Sequence, residues 1–88
     1  MSAPMIHSPR AQRDRLRWRC RRGMKELDVL LARYVEERLD AAAPAERAAF
    51  EALLEDQDPV IYAYCLGQTP VPERFAALIE RITGPSSG

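Results

Sequence analysis

The residues best suited to chemistry lie at one junction, where a run of arginines gives way to acidic residues. Arg22, Gly23 and Glu26 occupy it. Because glycine has no side chain, a partner can approach Gly23 closely, and the Glu26 carboxylate can accept hydrogen bonds from a partner's arginine or backbone N–H. The alternative is structural: Gly23 ends a helix and Glu26 is an ordinary first-turn acid of the next one. Composition alone favours this alternative.

Trp18 lies inside the same arginine run and has two possible roles. It is either the apolar anchor that holds a first helix against a second, or a partly exposed aromatic residue that serves as an interface hot spot. The sequence alone does not separate these roles.

The chemistry of an enzyme is not supported by the sequence. No phosphate-binding glycine loop, histidine-rich metal set or Ser/His/Asp combination is present. Cys20 has four arginines within three residues, which would lower the pKa of an exposed thiol, but it lacks a partner base. The acidic cluster around Asp58 matches no calcium loop and is better explained by helix caps and solvated charge. We therefore expect no catalytic activity, no bound metal and no cofactor of the chain's own.

The charges are distributed very unevenly along the 88 residues. The first 25 residues carry eight basic groups and one acidic group, whereas the remainder carries five basic and twelve acidic groups. Such asymmetry is typical of a chain that binds a partner, either nucleic acid or an acidic protein surface. Two cysteines, no apolar run of membrane length and no signal-peptide segment lead us to expect a reduced, cytoplasmic, bacterial protein.

The elements that must position these residues are helices, since no stretch alternates apolar and polar residues as a strand does. We expect an all-α, small five-helix bundle. Residues 10–83 should form a single domain between flexible tails at residues 1–9, which include His7, and 84–88.

The predicted helices follow from apolar spacing and from their end signals. The first runs from Arg10 to a stop at Gly23, and the second, the longest, from Met24 to about Asp40. The third begins at Pro44, with Ala43 as its N-cap. The remaining signals are Asp58 as N-cap and Gly67 as stop of a short fourth helix, and the apolar stripe of a fifth at Phe75, Leu78, Ile79 and Ile82.

The segment from Trp18 to Asp28, WRCRRGMKELD, is similar to the signature of the SdhE family, small FAD assembly factors of succinate dehydrogenase. The Arg-Gly-x-x-Glu motif of that family is matched by Arg22, Gly23 and Glu26. Its Leu-Leu-Glu followed by Asp-Pro is matched between Leu53 and Pro59. The resemblance spans most of the chain, from Leu16 to Ile82. A departure is Arg17, where a relative has histidine.

The resemblance implies a non-catalytic helical bundle that binds the flavoprotein subunit of succinate dehydrogenase and, in some bacteria, of fumarate reductase. Such a protein promotes covalent attachment of FAD to a histidine of that partner and holds no cofactor itself. It also implies a monomer without membrane insertion and without a nucleic-acid partner. The partner-binding residues would be Arg22, Gly23 and Glu26, joined by Arg21, Trp18 and Asp58.

The main alternative is a nucleic-acid-binding helical module in which Arg10 to Lys25 track phosphates. It predicts binding that weakens steeply with salt and that needs neither Gly23 nor Glu26. The acidic remainder of the chain argues against it. A third possibility is an adaptor or antitoxin-like partner of an acidic protein.

Overall fold

The computed structural model describes residues 9–85, with side chains from residue 11 onward. This part of the chain contains five α-helices and no strand, which confirms the predicted all-α fold. The elements are α1 (Pro9–Arg19), α2 (Lys25–Glu37), a 3-10 turn (Leu39–Ala41), α3 (Pro44–Leu53), α4 (Asp58–Leu66) and α5 (Glu73–Thr83). His7 and most of the predicted N-terminal tail lie outside the described residues. None of the described helices is long and apolar enough to cross a membrane.

Helices α2 and α5 form the centre of the core. The apolar stripe predicted for α5 is buried along its whole length, and α5 packs against α2, α3 and α4. The same spacing buries Leu27, Leu31, Tyr34 and Val35 on α2. Burying one such side chain contributes roughly 1.5–3 kcal/mol, so these two buried stripes contribute substantially to the stability of the bundle.

Helix α1 lies on the outside of the bundle and is held there by charge as well as by a thin apolar stripe. Leu16 and Cys20 are buried beneath it. Its arginines form three ion pairs with acids of the body: Arg13 with Asp40 at 3.0 Å, Arg19 with Glu55 at 2.8 Å, and Arg17 with Glu36. The positive charge of α1 is therefore partly compensated within the molecule.

Two predicted helix ends are wrong. Helix α1 ends at Arg19, not at Gly23, because its last turn tightens so that Cys20 N–H bonds the Arg17 carbonyl at 3.1 Å and the chain then leaves the helix axis. Asp58 is the first residue of α4 and not its N-cap, a position taken by Gln57 without a side-chain bond. The Asp58 carboxylate instead accepts a hydrogen bond from the Arg22 guanidinium.

The N-cap predicted for α3 and the stop predicted for α4 are confirmed, whereas α2 ends before the predicted Asp40. Ala43 is the N-cap of α3, and Gly67 closes α4 in the left-handed conformation at φ 72°. Helix α2 stops at Glu37, and the chain continues through the 3-10 turn that buries Leu39. The end of α5 is tied to α2, since the Arg33 guanidinium donates to the carbonyls of Ile82 at 2.9 Å and Gly84 at 2.5 Å.

Candidate docking surface between the first two helices

The loop between α1 and α2 is shaped by one carboxylate. Asp28, in the first turn of α2, accepts the backbone N–H of Arg22 at 3.0 Å and that of Gly23 at 3.1 Å. These two bonds fold the loop back onto the start of α2. The sequence alone did not predict this role of Asp28. The sequence feature that could have indicated this role is the position of Asp28 about one turn after a glycine-containing break.

Gly23 itself is exposed and has φ +91°, a conformation that L-amino acids rarely adopt. A methyl group on its Cα would meet no atom within 4 Å. The glycine is therefore required by backbone conformation and not by crowding, and the space in front of it is open. The predicted left-handed glycine is confirmed, although it lies in the loop and not directly at the helix end.

The Arg22 side chain points into the protein and joins two loops. Its guanidinium pairs with Asp58 and donates to the carbonyls of Leu54 at 2.9 Å and Asp56 at 2.8 Å. Only 15% of the side chain is exposed. We call this arrangement the Arg22–Asp58 clamp. It ties the α1–α2 loop to the α3–α4 loop, so the geometry gives both residues a positioning role. Their direct contact with a partner remains a prediction.

Glu26 and Lys25 are exposed in the first turn of α2. Neither side chain has a hydrogen bond or ion pair with any residue that the structure describes. Because no internal partner holds them, both charges are available to an incoming protein. The predicted role of Glu26 as an acceptor is compatible with this exposure.

Trp18 is not part of the core: 68% of it is exposed. The Arg21 guanidinium lies over its ring at 5.0 Å from the centroid, a cation–π contact that orders both side chains. The tryptophan faces an open groove of about 700 Å³ between α1 and α2, which Arg21 and Gly23 also line. The structure thus selects the exposed alternative for Trp18.

Val29 on the opposite helix also lines this groove and is 61% exposed. The exposure of Val29 was not predicted from the sequence. The signal was present, because at 3.6 residues per turn Val29 lies about 200° around α2 from the buried Leu27 and so falls outside the core-facing stripe.

Cys20 is not the exposed thiol whose pKa the neighbouring arginines would lower. It is buried, its thiol donates to the Leu16 carbonyl at 3.2 Å, and burial raises its pKa from 9.0 to about 12 despite the nearby Arg22 charge. No group of His, Cys, Asp and Glu side chains within residues 9–85 is arranged to hold a metal ion.

Of the predicted partner-binding residues, the structure brings Trp18, Arg21 and Gly23 together on the groove, whereas Glu26 is exposed but does not line it. Arg22 and Asp58 form the clamp that fixes the loop. The fold and this surface define the class: a small helical bundle with an open aromatic and cationic surface, the composition of a protein-docking site.

Comparison with known proteins agrees with this class. The profile of the family described as "Flavinator of succinate dehydrogenase" matches residues 14–85. Since the match covers most of the chain, this protein belongs to that family.

Curated relatives carry the name FAD assembly factor SdhE. The protein of Coxiella burnetii is 42% identical over 74 residues, covering 83% of this chain and 90% of the relative. That of Vibrio cholerae is 39% identical, covering 81% and 84%, and that of Xylella fastidiosa is 40% identical, covering 90% and 81%. These relatives are bacterial, as expected for this chain. No solved structure matches it.

Proposed function

We propose that this chain binds the flavoprotein subunit of succinate dehydrogenase and promotes covalent attachment of FAD to that subunit. Family membership supports the process, and the α1–α2 surface supports binding of another protein. The chain would act without a catalytic site and without a cofactor of its own, as a monomer. The flavoprotein subunit of fumarate reductase is proposed as a second partner, on which the chain would act in the same way.

The single observation that carries the proposal is the exposed junction around Gly23. Its open space, the exposed Trp18, and Glu26 and Lys25, which pair with no described residue, provide a surface that a folded partner can approach closely. The internal bonds of Asp28 and the Arg22–Asp58 clamp hold this surface in one conformation before binding. A preformed surface lowers the ordering cost of association.

The mechanism that we propose is positioning. Covalent flavin attachment requires the flavin ring to be held against an acceptor side chain, and correct orientation alone can accelerate such a step greatly. A chaperone that binds one conformation of the flavoprotein more tightly shifts its population toward that conformation. The chain's residues would supply only the binding energy for this shift.

The alternative of nucleic-acid binding has less support. Arg13, Arg17, Arg19 and Arg22 are each paired with an acidic side chain of the same chain. Such internally neutralised cations release few counterions from a phosphate backbone.

The test is reconstitution of the apo-flavoprotein with FAD, scored by covalently bound flavin fluorescence in a denaturing gel. Gly23→Arg should abolish flavinylation because its side chain fills the open space. Gly23→Ala is the control, since it introduces the same backbone strain without the bulk and should retain more activity. Full flavinylation with a folded Gly23→Arg protein would refute the proposal.

A second test addresses Glu26. Glu26→Ala should weaken binding to the flavoprotein. The matched control is Glu73→Ala, because Glu73 is also an exposed acid in the first turn of a helix, α5, and has no ion pair among the described residues. Equal affinities of the two variants would argue against a direct contact of Glu26.

A further inference from the structure

Two large apolar side chains remain exposed on the facing walls of one groove. Trp18 projects from α1 and Val29 from α2, while the core-facing stripes of both helices are buried. Ala32, three residues after Val29, extends the apolar wall. A groove of about 700 Å³ lies within the size range of pockets that bind ligands, and it can receive a protruding side chain.

The charged side chains of the groove differ in whether they are free to bond a partner. Arg17 is paired within the chain, and both oxygens of Asp28 accept backbone N–H groups. Asp28 keeps its negative charge, but its oxygens are occupied, so the side chains left to bond a partner are the cations Arg21 and Lys25 and the acid Asp14. Arg21 and Lys25 flank Gly23 in sequence, so the positive charge is concentrated where the glycine leaves the backbone open.

The groove is also held in shape. The loop that carries Arg21 is fixed on one side by Asp28 and on the other by the Arg22–Asp58 clamp. Arg21 in turn stacks over Trp18. A groove with apolar walls and a cationic rim is suited to an apolar side chain with acidic neighbours. The carboxylates can reach the cations at the rim while the apolar group is removed from water.

We infer that this groove is the part of the docking surface that recognises the flavoprotein, by taking one apolar side chain of that partner flanked by carboxylates. The inference rests on the proposed function and adds to it the residues that supply the affinity and the chemistry of the partner's segment. Trp18 and Val29 are the apolar contacts, and Arg21 and Lys25 are the cationic ones.

The apolar part is tested by measuring the affinity of the intact chain for the apo-flavoprotein by calorimetry. Trp18→Ala should weaken binding by about 30-fold or more, as expected for an interface hot spot, and Val29→Ala by roughly tenfold. Leu66→Ala is the control, because Leu66 is 49% exposed but lies on α4, outside the groove, and should change affinity less than about twofold. These sites are exposed, so the variants should fold, which thermal melts verify.

The electrostatic part is tested by charge reversal at about 50 mM and about 300 mM NaCl. Arg21→Glu should weaken binding by about tenfold at low salt, and the difference should shrink at high salt as screening increases. Arg15→Glu is the matched control, since Arg15 is an exposed cation of α1 that has no ion pair among the described residues and does not line the groove. Tighter binding by Arg21→Glu would mean a cationic partner segment and would overturn the inference.

The outcomes separate this inference from the proposed function. If the wild-type chain fails to bind the flavoprotein, both fall. If it binds and Trp18→Ala binds equally well, the groove inference alone falls. If sedimentation shows a dimer that Trp18→Ala abolishes while flavoprotein binding is unchanged, the occupant is a second copy and the inference is overturned.

Discussion

Replacing Arg22 by alanine should destabilise the fold strongly, although the residue lies in a surface loop. The guanidinium bonds the Asp58 carboxylate and the carbonyls of Leu54 and Asp56, which lie more than thirty residues further along the chain. With about 1 kcal/mol for each of these three bonds, a value suited to partners that water can still reach, the loss is about 3 kcal/mol. For a domain of this size that loss corresponds to roughly 12–24 °C in Tm.

The assay is urea denaturation followed by circular dichroism. Arg19→Ala is the matched control, because Arg19 also pairs with an acid 36 residues away, but its partner Glu55 is 75% exposed. Exposed pairs contribute less than about 1 kcal/mol, so Arg19→Ala should have a small effect. Arg22→Lys should fall between wild type and Arg22→Ala, because one ammonium group cannot reach all three acceptors. If Arg22→Ala is no more destabilising than Arg19→Ala, the clamp does not stabilise the fold.

Four further outcomes are expected. Asp28→Ala should raise the hydrogen-exchange rates of the Arg22 and Gly23 amides by about tenfold or more, since each loses its acceptor; unchanged rates would contradict the loop geometry. Gly23→Ala should lower the free energy of unfolding by roughly 1–2 kcal/mol in a urea titration, and no loss would contradict the positive φ. In a Cys65→Ser background, Cys20 should resist thiol reagents at about pH 8 until the chain unfolds. Because the folded-state pKa of Cys20 is raised from 9.0 to about 12, its contribution to stability should be complete below pH 9 and decline as pH rises toward 12. Rapid labelling of Cys20 in the folded protein would contradict its burial.

The helices were predictable because their signals are local. On α5, Phe75, Leu78, Ile79 and Ile82 repeat at the spacing of one helix face, and all four are buried. Any compact helical arrangement must bury such a stripe, so the sequence suffices to identify it. The left-handed glycines at Gly23 and Gly67 were predictable for the same reason, since few other residues adopt that conformation.

The pairing of the basic residues with acids of the same chain was not predictable. The sequence shows a basic first segment and an acidic remainder, a pattern that suggested an external partner. The fold places α1 against acids 19 to 39 residues away, as in Arg17 with Glu36 and Gln12 with Glu51. Pairing at that separation depends on how the helices pack, which no local pattern specifies.

The sequence by itself determined the helical class, the core stripes and the family motif. Tertiary structure decided that Arg22 turns inward to Asp58, that Asp58 is therefore no helix cap, and that Trp18 stays outside the core. The physical reason is that helix propensity and apolar spacing act within a few residues. The direction of a long polar or aromatic side chain is set instead by acceptors and cavities that distant segments supply only once the chain has folded.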